Sequence, residues 1–296
     1  MSEPPPTGRE RVLPPATEAP LLEWLMATLR PMPRTGVKQL LRHGQVTVNG
    51  VSTTQFDRAL RVGDRVVITP GRPDPAVKVL REAGVVIVHQ DEHLIVIDKP
   101  AGLLTVATES QKLDTSFARL SAYLASQREG RPFVVHRLDR ETSGLLLFAR
   151  SADVRDRLQA GWDTVTKTYL AVVEGVPNPT EGMVRNFLTE GKDLRVRASA
   201  GPRPGSKEAI THYQVVASAA QHSRVEVRLE TGRKHQIRVH LAGLGCPVIG
   251  DERYGATTDP AGRLGLHAWR LAFDHPVTGK RVEVNSELPE VLRQVV

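Results

Sequence analysis

The chain has 296 residues, 40% of them hydrophobic, with 40 Lys and Arg against 33 Asp and Glu and a single cysteine. No apolar stretch approaches the roughly 20 residues needed to span a bilayer. The opening residues lack the apolar core of a signal peptide, and one cysteine, Cys246, excludes an intrachain disulfide or a cysteine-rich zinc site, so a cytoplasmic protein is expected. A net charge of +7 and an isoelectric point near 9.8 point to an anionic partner, of which nucleic acid is the commonest.

Residues 1–20 carry "EPPPTGRERVLPPATEAP", too proline-rich and too poor in apolar residues to pack, and are expected to form a disordered tail. "PLLEWLMATL" predicts a short amphipathic helix. "TGVKQLLRHG" predicts a second, with Val37, Leu40 and Leu41 at helical spacing and Gly44 as its C-terminal cap. "QVTVNGVST" predicts a hairpin turning at Asn49–Gly50. Between Leu21 and Pro75 there are eight Arg and Lys against four acids. Arg34, Lys38 and Arg42 recur every four residues and so line one helix face. A small α/β module over 21–70 with a basic stripe suits RNA docking; the plain alternative is a solvated helix face. The segment 71–84, rich in proline and charge, reads as a linker.

The region 85–296 opens with a strand pair in "VVIVHQDEHLIVIDKP". Helices follow near 117–128 and from about Ala152. "KTYLAVVEG", "ITHYQVVAS", "SRVEVRLETG" and "LGLHAWRLAFDHPVTG" read as strands. After Thr231, a possible cap, a helix is expected to bury Ile237, Leu241 and Leu244. Strands outnumber helices and the connections are short. The pattern predicts an α+β fold with a central mixed, largely antiparallel sheet flanked by helices and loops.

Several chemistries lack their sequence signature. There is no phosphate-binding loop and no dinucleotide fingerprint. His235 and His240 are five apart, on different sides of a helix, which argues against a shared metal. "TSG" is not a nucleophile elbow, and no histidine is evident to activate Ser143. What does stand out is "HRLDRETSG", in which Asp139 lies between Arg137 and Arg140. A carboxylate held between guanidiniums suits a nucleophile better than a general acid.

Together "DKPAGL", "HRLDRETSG", "KTYLAVVEG" and "TGRKHQIRVHLAGLGCPVIGDERYG" resemble, in order and spacing, the RluA-type pseudouridine synthases, from about Glu92 to Gly279. Residues from about Leu21 to Ile68 resemble the small α-L RNA-binding domain of a ribosomal protein. The resemblance implies a catalytic domain over 85–296 that isomerises uridine in RNA, with Asp139 as catalytic aspartate and Arg238 as its partner. Tyr169 is then the residue that stacks on the uracil, its hydroxyl a candidate for the proton at the ring carbon. Arg137 would fill the gap left by a flipped nucleotide, and Lys99, Arg233 and Lys234 would contact phosphate. It further implies no metal or other cofactor; a monomer is the default expectation. The expected RNA is that of the large ribosomal subunit, with tRNA as the alternative. The rivals are an internal Asp139–Arg238 ion pair in a non-catalytic RNA-binding assembly factor, and a glycosidic-bond hydrolase, which would lack its second carboxylate.

Overall fold

A computed structural model describes residues 11–42, 45–49, 51–53, 55–68, 80, 84–107 and 114–296. They fall into two compact units, the described parts of Met1–Asp98, Phe117–Val134 and Leu147–Arg155, and of Lys99–Ser116, Val135–Leu146 and Asp156–Val296. This division differs from one at 71–84, most of which lies outside the described residues.

In the first unit the chain enters as β1 (Arg11–Leu13) and β2 (Ala19–Pro20), then forms α1 (Leu21–Thr28) and α2 (Arg34–Arg42). β3 (Val46–Val48) and β4 (Val51–Ser52) make the expected hairpin. Asn49 supplies the turn at φ 54, and its side chain bonds Asp64 and the Arg65 amide. β5 (Ala59–Leu60) pairs with β2, and β6 (Val66–Ile68) lies between β1 and β3. Leu21, Leu25, Val37, Leu41, Val46, Val48 and Val66 close one apolar core. The expectation of a tail over 1–20 fails for residues 11–20, and residues 1–10 lie outside the described residues. Arg11–Leu13 is paired antiparallel to 66–68, and Leu13 packs against that core; this pairing and the partial burial of Leu13 outweigh the prolines that follow. The expected cap at Gly44 lies outside the described residues. The unit also holds the hairpin of β7 (Val86–Gln90) and β8 (Leu94–Lys99), to which Thr53 is tied through a bridge with His89.

Further along come α3 (Ser116–Ser126), β9 (Phe133–Val134), β10 (Ser143–Ala149) and α4 (Ala152–Ala160). The second unit is built on β11 (Thr166–Glu174), β12 (Glu181–Glu190), β13 (Val196–Ser199), β14 (Lys207–Ala219), β15 (His222–Leu229), α5 (Gln236–Gly243), β16 (Leu266–Asp274) and β17 (Arg281–Asn285). Its strands run in the order β13-β12-β14-β15-β11-β16-β10, with β17 beside β16. All these pairs are antiparallel except β10 with β16, which is parallel. The mixed, mainly antiparallel sheet read from the sequence is thus found.

Two features of this sheet set up the site. Gly144 and Tyr169 both register against Ala268 of β16, so the strand that follows Asp139 and the strand carrying Tyr169 share one row. A register shift between Thr168 and Tyr169 re-aims that tyrosine, as β-bulges beside active sites do. The close approach of β10 to β16 requires glycine: at φ +108, a Cβ on residue 144 would lie 2.3 Å from the Ala268 carbonyl oxygen. Gly144→Ala is expected to destabilise the protein by about 4 kcal/mol or more, read as a large drop in melting temperature. A wild-type melt would contradict this packing.

α5 packs on the sheet with Ile237 and Leu241 in the core formed with Val173, Val225 and Val227. Val239 turns to a second cluster with Leu188, Val196 and Tyr254. Burial of such side chains stabilises by about 1.5–3 kcal/mol each and fixes the helix that carries Arg238.

Candidate active site

Asp139 sits in a loop just before β10, and its neighbours are fastened on both sides. Thr105, itself buried, donates its hydroxyl to the Leu138 carbonyl at 3.0 Å and accepts the Leu138 amide at 3.1 Å. The Arg140 carbonyl accepts from the Gly102 amide at 2.9 Å and from Lys99 Nζ at 3.0 Å. The Thr142 amide bonds back to the Asp139 carbonyl. Upstream, His136 stacks on Trp162 with ring centroids 4.5 Å apart. Burial, with the Lys167 charge adding, pushes its imidazole down to about 3, so it stays neutral. The Asp139 side chain itself keeps 29% exposure. It is a carboxylate on a rigid loop, open to a ligand.

Arg238 supplies the counter-charge from α5. Its Nη1 lies 3.6 Å from Asp139 Oδ2. Its short contacts go elsewhere, with Nε donating to Asp251 Oδ2 and Nη2 to Asp251 Oδ1, both at 2.7 Å. Asp251 is fully buried as a side chain. Arg238 was expected to pair with Asp139. The structure brings them together but gives the bidentate fork to Asp251, which aims the guanidinium while leaving Asp139 untied. The Tyr254 ring covers Arg238 at 5.1 Å.

The start of α5 also departs from expectation. The helix begins at Gln236, after His235 in the left-handed region at φ 54, and Thr231 lies too far upstream to cap it. Thr231 instead donates its hydroxyl to Gln236 Oε1, at 2.8 Å, and accepts the Ile210 amide at 2.9 Å. Gln236 Nε2 donates to Thr211 Oγ1, and that oxygen lies 2.8 Å from His240 Nδ1. His240 Nε2 meets Asn186 Oδ1 at 2.9 Å. Burial lowers the His240 imidazole to about 4. His235 and His240 thus serve different surroundings, as their spacing implies.

Tyr169 is half-buried, and lost hydration together with the negative charge of Asp139 raises its phenol above the ordinary value. A phenol kept protonated in this way suits stacking better than proton abstraction. Arg137, Arg233 and Lys234 are exposed, with Arg233 Nε on the Glu208 carbonyl and Lys234 paired to Glu190. Lys99 is not a phosphate contact: it has no exposure, and its ammonium donates to the carbonyls of Pro100, Leu103 and Arg140. An ammonium has three protons to give, and here they clamp the loop beside Asp139. Arg34 is exposed and Lys38 lies over the Phe56 ring at 5.1 Å; the Arg42 side chain lies outside the described residues.

Sequence reasoning missed Asp251, Tyr254 and Thr105, although "GDERYG" places an acid and an aromatic after a buried apolar run. It also missed a histidine beside Ser143. His267 Nδ1 lies 2.8 Å from Ser143 Oγ, which also accepts from Arg263. Both Ser143 and His267 are buried, so the pair locks β10 to β16 and offers no nucleophile to a ligand.

Residues 93–243 match the family model described as RNA pseudouridylate synthase. The chain is 36% identical to the uncharacterized RNA pseudouridine synthase YlyB of Bacillus subtilis, covering 93% of this chain and 92% of that protein. It is 31% identical to the ribosomal large subunit pseudouridine synthase D of Zymomonas mobilis, covering 90% and 89%. Among solved structures, human RNA pseudouridylate synthase domain containing 4 aligns with a TM-score of 0.61 and 27% identity, over 74% of this chain and 93% of that one.

Proposed function

Because this chain belongs to the RNA pseudouridylate synthase family, and so isomerises uridine in RNA, we propose that Asp139 is its reacting group and ribosomal RNA of the large subunit its substrate. The observation that carries the first part is the partly open Asp139 carboxylate facing an arginine already held by a second, buried aspartate. In this reading uracil is detached from its ribose nitrogen bond, turned over and rejoined through a ring carbon. Asp139 either adds to the ring or acts at the sugar, since both need the same oxygen close to the nucleoside. Tyr169 stacks on the base, and Arg137 takes the place of the extruded nucleotide, whose unstacking costs a few kcal/mol. Proximity favours rejoining over loss of the base.

The substrate assignment draws on relatives named for the large ribosomal subunit in Zymomonas mobilis and Vibrio cholerae. Mapping pseudouridines in the RNA of cells with and without the gene tests it. Sites lost from large-subunit RNA are the expected result, and sites lost only from tRNA would overturn it.

The N-terminal module over 21–70 is the docking element in this reading, supported by its own core and its basic helix. Charge reversal at Arg34 and Lys38 is expected to weaken RNA binding and reduce the slope of log affinity against log salt by up to about two. Turnover of a short stem-loop should stay near wild type. An unaltered slope would remove the docking role.

A further inference from the structure

Asp139 has a second polar neighbour, His235, to which the motif assigns no part. His235 Nε2 lies 3.8 Å from Asp139 Oδ2, the same oxygen that Arg238 Nη1 faces at 3.6 Å. Its other ring nitrogen, Nδ1, is 2.8 Å from the Tyr254 hydroxyl. That hydroxyl oxygen accepts the Val196 amide proton at 3.1 Å, and the two rings meet edge to face at 5.6 Å. The histidine backbone is in the left-handed region at φ 54, which non-glycine residues seldom adopt, and the side chain keeps 10% exposure. Such a conformation persists only where the surroundings over-determine it.

The hydrogen bonds fix the tautomer. The Val196 amide occupies one acceptor position of the Tyr254 oxygen, and the phenol proton is available for Nδ1. A lone pair on Nε2 would point at the negative charge of Asp139, so the proton belongs on Nε2. The groups facing the ring are the Asp139 carboxylate, the Tyr254 phenol and the cations Arg238, Lys234 and Arg253. Burial, and then the three cations, hold the imidazole below its ordinary value although Asp139 opposes them. It is therefore neutral at and above neutral pH.

We propose that His235 is a positioning residue for the isomerisation: its neutral Nε2–H steers Asp139 Oδ2 and leaves Oδ1 for the nucleoside, while Tyr254 holds the ring in that tautomer. The inference rests on Asp139 being the reacting group. Acidification adds a proton at Nδ1, breaks the bond from Tyr254, and turns a neutral neighbour of Asp139 into a cation. The carboxylate is then drawn into a close ion pair and its reactivity falls. The sign follows: a histidine lowered in the folded enzyme is neutral above its own titration and charges below it, so the rate is level near neutrality and drops towards acid.

Single-turnover rates across a pH series, with thermal melts, separate the possibilities. His235→Ala is expected to lose about 10- to 100-fold in rate, with half-saturating RNA concentration within about twofold of wild type. His235→Gln, whose amide N–H reaches the position of Nε2 but does not titrate, should recover most of the rate and shift the acid decline to lower pH. Tyr254→Phe should fall between them. Wild-type rates in His235→Ala, or the wild-type acid decline retained in His235→Gln, would overturn the inference. Should the alanine variant fail to fold, the glutamine variant alone decides. Asp139→Ala run alongside guards the premise: full activity there would remove the assignment of Asp139 itself, a different failure from an inert His235.

Discussion

Asp251→Ala is expected to lower stability by about 3–5 kcal/mol, because it strips the fork partner from a guanidinium held largely away from water. In a chain of this size that amounts to a fall in melting temperature on the order of 10 °C. The loss of activity in the molecules that remain folded should be larger than the loss of stability suggests. Without Asp251 the nearest carboxylate to Arg238 is Asp139, at 3.6 Å. The guanidinium then closes on the carboxylate proposed to react. Asp251→Asn keeps one acceptor oxygen and should cost less on both counts. Urea melts and single-turnover rates measure the two effects separately. Unchanged melting of Asp251→Ala would mean that the fork adds nothing.

Asp139→Asn carries the second large effect. The substitution is nearly isosteric and leaves the backbone clamps at Leu138 and Arg140 in place, since these use main-chain atoms. The fold and RNA affinity are expected to survive. The rate should fall by about 10⁴-fold or more, as when a nucleophile acting with its partners is removed. A residual rate within about tenfold of wild type would make Asp139 a structural anion, the reading in which its contact with Arg238 is an internal ion pair.

How far the site could be read in advance depended on whether a residue's role is local. The hairpin at Asn49 and the strands at 166–174, 207–219, 222–229 and 266–274 follow from alternation and turn chemistry, which act over a few residues, and they were read correctly; the strands Glu181–Glu190 and Val196–Ser199 were not. Asp139 stood out between Arg137 and Arg140, whereas Tyr169 and Arg238 were legible only through the family resemblance of the motifs that carry them. Asp251 did not stand out, because its partner is thirteen residues away and the turn between them is made by packing, not by a pattern. Lys99 was misread for a related reason. A lysine ending an apolar strand looks like a surface cation, and only the fold reveals three carbonyls converging on it. Thr231 has the residue type of a helix cap, but the chain turns through His235 first, so its hydroxyl went to Gln236. The short strand at Arg11–Leu13 was hidden by proline-rich neighbours, and the Ser143–His267 contact by a separation of 124 positions along the chain.

The claim with most riding on it is that an open carboxylate at position 139 drives isomerisation of uridine in RNA. It is tested most directly by RNA tritiated at carbon 5 of uracil, incubated with wild type and with Asp139→Asn. Wild type is predicted to release the label as water while strand mass, apart from the exchanged hydrogen, and backbone continuity stay unchanged, and Asp139→Asn to release none above background. Equal release by the two proteins, or free uracil with abasic sites in place of the isomer, would contradict it.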